Sequence, residues 1–342
     1  MGDRELVGSD GGVGVPSSGG LRQMRHPGAA SSIEQHEWRV GAVDRLATLL
    51  AVDPSADPAP VRHVDPSPAA DAVPQLLELP TAAGPIPAWL LVPPPERRRE
   101  VAVVALAGHG PGIDALVADV TPSGDYHGGL ARKLQAAGFT VLCPELTSFG
   151  RRRGAGAGDA ENSCQVDAMR GLLTGRPVLG RRVDDARTAL SAARGLPWID
   201  PDRVAIAGGS GGGAVALLTA ALDERIPVAV VANYLSTFAA SLCSVPHCIC
   251  NAVPDLLTWF EMADVAAMIA PRGLVIEAGE ADPIFPIAET RAMYAELVPL
   301  WASAGSPGPE LVVTDAGHQF LADAAIASLA AYFDEPTASR TR

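Results

Sequence analysis

One lysine, Lys133, stands in 342 residues, and acidic side chains outnumber basic ones 39 to 26, leaving a net charge of −13. A chain so short of positive charge is poorly suited to hold a polyanion, so neither nucleic acid nor an anionic membrane surface is an expected partner. No apolar run reaches the roughly 18 residues that a membrane-spanning helix needs. The first residues carry Asp3 and Glu5 where a secretory leader would have a basic start and an apolar stretch, so no leader is expected. Cysteine is also scarce: there are five, an odd number without framework spacing, and a reducing cytoplasm is the expected compartment. Apolar residues are plentiful, at 48%, enough for the core of one large α/β domain or two ordinary ones.

Residues 1–30 are rich in Gly, Ser and Pro and read as a disordered tail whose removal should cost little. Residues 31–74 read as an amphipathic helix over Ile33–Val52, followed by a Pro- and Asp-rich linker. Two short strands, Gln75–Leu79 and Ile86–Val92, flank a Gly84-Pro85 turn. From Val101 the pattern alternates strand and helix to residue 335. The predicted strands are Val101–Ala107, Phe139–Cys143, Val204–Ala207, Val228–Asn233, Gly273–Ala278 and Leu311–Thr314. The predicted helices are Tyr126–Ala137, Arg181–Arg194, Gly211–Leu222, Ile287–Trp301 and Phe320–Phe333. Such alternation predicts an α/β fold: a mostly parallel central sheet with helices on both faces. The reading is one domain over 75–335, with irregular insertions at 144–180 and 234–263 and a short tail at 336–342.

The chain is organised around Val204-Ala205-Ile206-Ala207-Gly208-Gly209-Ser210-Gly211-Gly212-Gly213. An apolar strand stops at a serine framed by glycines, and an apolar helix follows at once. That is G-x-S-x-G in its strand–turn–helix context, the nucleophile elbow. Side chains at Gly208 or Gly212 would collide with neighbouring backbone. The N–H of Gly211 opens the helix, where donors lack intrahelical partners and developing negative charge is favoured. A phosphate-binding P-loop requires a lysine that is absent here. A dinucleotide loop requires an acid at the end of the next strand, which instead ends Asn233-Tyr234.

A serine is a poor nucleophile without a base, and the base needs an orienting acid. In a parallel sheet these must come from loops at the C-terminal ends of strands. Asp282 lies in Gly279-Glu280-Ala281-Asp282-Pro283, after one such strand. His318 lies in Asp315-Ala316-Gly317-His318, after the next. Of seven histidines, only His318 follows the acid. Glu277 falls inside its strand, Glu280 starts the turn, and Asp255 lies in an insertion, so Asp282 is the predicted acid. A second oxyanion donor is expected from Gly108-His109-Gly110, with the N–H of His109 preferred over that of Gly110.

Taken together these residues resemble the α/β-hydrolase superfamily, and within it the dienelactone-hydrolase-like and acetylxylan-esterase-like branch. The resemblance covers roughly residues 75–335. It rests on Ala107-Gly108-His109-Gly110, Asp200-Pro201-Asp202-Arg203, the elbow, Ala221-Leu222-Asp223-Glu224-Arg225-Ile226, Ile269-Ala270-Pro271-Arg272-Gly273, Gly279 to Pro286, and Gly317-His318. It implies an α/β-hydrolase fold and a serine carboxylic-ester hydrolase. The implied catalytic residues are Ser210, Asp282 and His318, with Gly211 and His109 N–H groups as the oxyanion hole. Two departures stand out. Dienelactone hydrolases carry cysteine in the elbow, whereas Ser210 here moves the expectation to ordinary esters. The oxyanion loop usually begins His-Gly, its histidine bracing the loop, and here it begins Ala107-Gly108.

The expected substrate is a small or medium ester, acetyl esters included, and neither cofactor nor metal is called for. A prolyl-oligopeptidase-like peptidase and an acyltransferase share the same triad, and a non-enzymatic hydrolase-fold binding protein is the rival from another class. His247-Cys248-Ile249-Cys250 lacks a fourth ligand and zinc-finger spacing, so these cysteines read as packing residues. Arg151-Arg152-Arg153 reads as a solvated loop, with a carboxylate-binding patch as the sharper alternative. The 234–263 insertion leaves the sheet at the catalytic edge with Tyr234, Trp259 and Phe260, which are expected to wall the substrate pocket. Oligomeric state is left open.

Overall fold

The computed structural model describes residues 22–56, 73–110, 112–118 and 126–335. In chain order the elements are α1 (Ser32–Leu50), β1 (Gln75–Leu79), β2 (Ile86–Leu91), β3 (Ala102–Leu106), α2 (Asp114–Val117), α3 (Leu130–Ala136) and β4 (Thr140–Pro144). They continue with α4 (Cys164–Thr174), α5 (Val178–Arg194), β5 (Val204–Gly209), α6 (Gly211–Leu222), β6 (Val228–Ala232), α7 (Leu256–Trp259) and α8 (Met262–Ala267). The last are β7 (Gly273–Gly279), α9 (Ile287–Ser303), β8 (Glu310–Thr314) and α10 (Asp323–Asp334).

Among the described residues, eight strands form one sheet in the order β1-β2-β4-β3-β5-β6-β7-β8. The β1–β2 and β2–β4 pairs are antiparallel, and every pair from β4–β3 to β7–β8 is parallel. Strand periodicity explains the layering. In β3, Ala102, Val104 and Leu106 face one core, while Val103 and Ala105 face the other. The first core is covered by α1, α5, α6, α8 and α9, the second by α3 and α10. Both faces of the central strands are buried, which is why these strands read as unbroken apolar runs. No described helix is long and apolar enough to cross a membrane.

Several boundaries differ from the sequence reading, each for a local reason. The segment expected as a helix from Tyr126 is helical only from Leu130, because Gly128 and Gly129 take positive φ (53° and 69°) and hold a turn. The last helix starts at Asp323 because Ala322 sits at φ 69°. The insertion at 144–180 is not irregular throughout: it holds α4, whose exposed Met169 and Leu173 blur the amphipathic pattern.

The largest correction concerns the N-terminus. Residues 1–21, 57–72 and 336–342, expected as tail, linker and tail, lie outside the described residues. Residues 22–30, however, are docked. Arg22 grips Asp264 at the start of α8 with two 2.7 Å bonds, and the Asp264 side chain is wholly buried. The backbone N–H of His26 donates to the same carboxylate at 2.8 Å, and the Met24 N–H donates to the carbonyl of Trp259. Apolar content was the wrong guide here, since the docking is ionic. Breaking a buried pair leaves a charge unpaired and costs about 3 kcal/mol. Arg22→Ala is therefore expected to lower the melting temperature by several degrees in a thermal scan. An unchanged melting temperature would mean the segment contributes nothing to stability.

Candidate active site

The turn after β5 sets the geometry. Ser210 takes φ 52° and ψ −120°, outside the usual regions for a side-chain-bearing residue. Its N–H is tied to the Ala232 carbonyl at 2.9 Å. A Cβ on Gly208 would run into the Gly212 backbone, and one on Gly212 into the Leu106 carbonyl. Only glycine allows β5, α6 and β3 to approach this closely, and the strained turn lifts Ser210 above the sheet.

From Ser210 a hydrogen-bonded chain runs across β6 to the ends of β7 and β8. His318 Nε2 lies 3.0 Å from Ser210 Oγ, and His318 Nδ1 lies 2.8 Å from Asp282 Oδ2. The loops carrying Asp282 and His318 are neighbours because β7 and β8 pair directly. Asp282 also accepts from the N–H groups of Ile284 (2.8 Å) and Phe285 (3.0 Å), and from Asn233 Nδ2 (3.1 Å). Burial pushes this carboxyl up, but the hydrogen bonds from His318 and the two backbone N–H groups outweigh it, so it titrates below the usual range. The competing acids are committed elsewhere. Glu277 is buried in β7 and accepts from the N–H groups of Leu321 and Ala322, while Glu280 pairs with Arg291 at the surface.

The loop after β3 meets the elbow. The His109 backbone nitrogen lies 3.0 Å from where a Cβ on Gly211 would stand, so the loop and the start of α6 are in close contact. The Gly108 N–H is used otherwise: it donates to Nε2 of buried His127 at 2.9 Å. The loop that lacks its usual leading histidine is thus braced by a histidine from the turn that precedes α3. Buried Glu145 holds the far end, accepting from the N–H groups of Ile113 and Arg151.

Sequence reasoning missed Tyr126, His127, Glu145 and Asn233. The Tyr126 ring lies 5.1 Å from that of His318, and burial keeps its phenol protonated by pushing its pKa well above the ordinary value. A usable signal existed for Asn233: a polar residue ending a buried strand, here at φ 46°, is a conformation asparagine tolerates.

The proposed pocket walls divide. Tyr234 is buried behind Phe285 (rings 5.4 Å apart), which in turn stacks on His318 (5.7 Å). Trp259 and Phe260 do not line the site. Phe260 is fully buried in the core, and Trp259 lies under the Arg45 guanidinium of α1, 3.8 Å from its ring centre. The insertion starts at the catalytic edge and then descends into the α1–α8 layer, so its second half is scaffold. The arginine triplet is likewise partnered. Arg151 pairs with Asp114 and Arg152 with Asp185, while Arg153 donates to the Ala160 carbonyl, which leaves no carboxylate-binding patch. Cys248 and Cys250, read as packing residues, do pack in the core, Cys250 within it and Cys248 against it, and the fold also brings Cys164 and His109 to them.

A parallel sheet with a strained serine elbow and a Ser–His–Asp chain at its C-terminal edge defines an α/β-hydrolase, a serine hydrolase of the carboxylesterase type. Within that fold the chain is similar to acetyl xylan esterases over part of its length, and a Klebsiella pneumoniae protein titled as a dienelactone hydrolase shares the fold. The profile of the family described as Acetyl xylan esterase matches residues 82–246, and that of the Prolyl oligopeptidase family matches residues 180–336. A Bacillus subtilis (strain 168) protein named as a hydrolase, YtaP, is 28% identical over 241 residues, covering 68% of this chain and 78% of its own. Among solved structures, a Bacteroides fragilis NCTC 9343 protein titled as an acetyl xylan esterase matches with TM-score 0.64 and 16% identity, over 83% of this chain and 76% of its own. A glucuronoyl esterase from Teredinibacter turnerae T7901 matches with TM-score 0.61 and 14% identity, over 89% and 85%.

Proposed function

We propose that this chain hydrolyses small to medium carboxylic esters, acetyl esters foremost, through an acyl-enzyme on Ser210. The observation that carries this is the unbroken path from Ser210 Oγ through His318 to Asp282, at 3.0 and 2.8 Å. His318 takes the hydroxyl proton as Ser210 attacks the ester carbonyl. The N–H groups of Gly211 and His109 receive the oxyanion, and Asp282 stabilises the imidazolium. His318 then returns the proton to the leaving alcohol, and water repeats the sequence to release the acid. The bias towards short acyl groups is supported by the rings packed beside the base: Phe285 stacked on His318, His247 edge-on to Phe285 at 6.4 Å, and Tyr126 on the other side.

The prolyl oligopeptidase match spans the half of the chain with all three reacting residues and so speaks to the shared chemistry more than to a peptide substrate. The acetyl xylan esterase match spans the oxyanion loop and the elbow. Kinetics on p-nitrophenyl esters of increasing chain length, then on acetylated sugars, test the reading. kcat/KM is expected to peak between acetate and butyrate. Each methylene that finds no apolar contact forgoes about 0.8 kcal/mol, so octanoate should gain nothing from its length. A preference for long chains, or faster cleavage of a prolyl anilide than of any ester, would overturn it. Labelling by a fluorophosphonate separates an enzyme from a binding protein, and product analysis with added alcohols separates hydrolysis from acyl transfer.

A further inference from the structure

Beside the oxyanion loop, four side chains from three distant parts of the chain converge. Cys164 opens α4, Cys248 and Cys250 lie in the insertion after β6, and His109 lies in the loop after β3. Their ligand atoms all fall within 4.8 Å of one another. Cys164 and Cys250 are buried and Cys248 is half-buried. A zinc ion with thiolate bonds of about 2.3 Å has sulfur–sulfur edges of about 3.8 Å, so small inward shifts bring the four atoms to tetrahedral positions.

A second observation gives the cluster its charge. Arg182 is fully buried. Its guanidinium donates to Cys164 Sγ at 3.1 Å, to Cys250 Sγ at 3.3 Å and to the Thr147 carbonyl at 3.0 Å, and it stacks on Phe149, 4.0 Å from the ring centre. No carboxylate is among these partners. A guanidinium buried in this way needs an anion, and the groups it is aimed at are sulfurs. A disulfide between Cys164 and either partner would be neutral and would leave Arg182 uncompensated. Three thiolates alone would leave an excess of two negative charges. Three thiolates, one divalent cation and one guanidinium sum to zero.

We propose that Cys164, Cys248, Cys250 and His109 bind one Zn(II) in a closed Cys3His site, with Arg182 as the positioning residue that holds two of the thiolates. Four protein ligands leave no open coordination position, so the ion is structural. It joins the β3 loop, α4 and the post-β6 insertion, and through His109 it fixes the backbone N–H assigned above to the oxyanion. Soft thiolate donors with one imidazole favour zinc over calcium or magnesium. The metal would also make the insertion part of the folded unit, since ligands from three segments must assemble to bind it.

The test is elemental analysis of the full chain, purified without a metal-chelating tag and exposed to zinc chloride before gel filtration. About one zinc per chain is expected. Cys164→Ser and Cys250→Ser should lose the metal, whereas Cys243→Ser, an exposed thiol outside the cluster, should keep it. Should the cluster variants fail to fold, two measurements on the parent chain still decide. Cobalt chloride in place of zinc should give the sulfur-to-metal charge-transfer band and intense visible bands of a tetrahedral thiolate site. Thiol titration in denaturant and chelator, without reductant, should find all five cysteines free. Absence of bound zinc or cobalt in the parent chain would overturn the proposal, as would a count two thiols short of five. Fluorophosphonate labelling of the same samples keeps the outcomes separate: a metal-free chain that still labels at Ser210 refutes the zinc site and leaves the esterase reading intact.

Discussion

Ser210→Ala is expected to lower kcat by about 10⁵–10⁶-fold on p-nitrophenyl acetate while leaving the melting temperature near that of the parent. The magnitude follows from what the hydroxyl does in the proposed mechanism. Without Oγ no acyl-enzyme forms, and the residual rate comes from the oxyanion donors and substrate binding alone. The small effect on stability follows from the elbow. Alanine suffers the same strain at φ 52° that serine already bears. The backbone bond from residue 210 to Ala232 is kept, and the side-chain losses are the hydrogen bond to His318 and the contact with Tyr126. Purified variant at high concentration, with active-site titration of contaminating parent enzyme, gives the measurement. Turnover near the parent's rate would remove the serine mechanism altogether.

The turn at Ser210 and the approach of Asp282 and His318 to it were readable in the sequence because each is bound to a local pattern. Glycines around Ser210 are demanded by backbone collisions that any sequence with this turn must avoid, and loops at strand ends must supply the partners in a fixed order. The parallel strands were equally legible, since burial on both faces turns them into apolar runs such as Val228–Ala232. What failed was whatever depends on contacts far apart in the chain. Arg22 is one polar residue in a Gly-rich stretch until α8 presents buried Asp264 to it. His127 has no visible role until Gly108 offers an unpaired N–H. Trp259 and Phe260 follow a catalytic strand in sequence, yet the chain returns to the helical layer before reaching them. The cysteine cluster is the clearest case. Cys248 and Cys250 carry a pair spacing, but Cys164 and His109 lie 84 and 139 positions before Cys248, and no local pattern marks them as partners.

Three acids crowd the end of β7, and their substitutions are expected to differ sharply. Asp282→Asn should lower kcat on the order of 10⁴-fold. In the parent chain Asp282 Oδ2 accepts from both His318 Nδ1 and Asn233 Nδ2. An amide whose carbonyl keeps the bonds from Ile284 and Phe285 must turn its NH2 towards His318. Nδ1 would then have to accept, the ring proton would move to Nε2, and Nε2 could no longer take the proton of Ser210. The parent carboxylate has a further property. Its folded pKa lies below the unfolded value, so its contribution to stability is present above the ordinary carboxylate range and is lost only as pH falls through the lowered value. Asp282→Asn should therefore flatten the acid side of the stability profile as well as cut turnover. Glu280→Gln, which breaks only the exposed pair with Arg291, should leave kcat within a few-fold, since such surface pairs contribute about 0–1 kcal/mol. Glu277→Gln replaces an acceptor of two backbone N–H groups beneath the His318 loop and should lower stability before it lowers kcat. Steady-state kinetics and pH-dependent unfolding of the three variants, compared side by side, provide the check. A Glu280 variant slower than the Asp282 variant would move the orienting acid to Glu280 and break the path from Asp282 to Ser210.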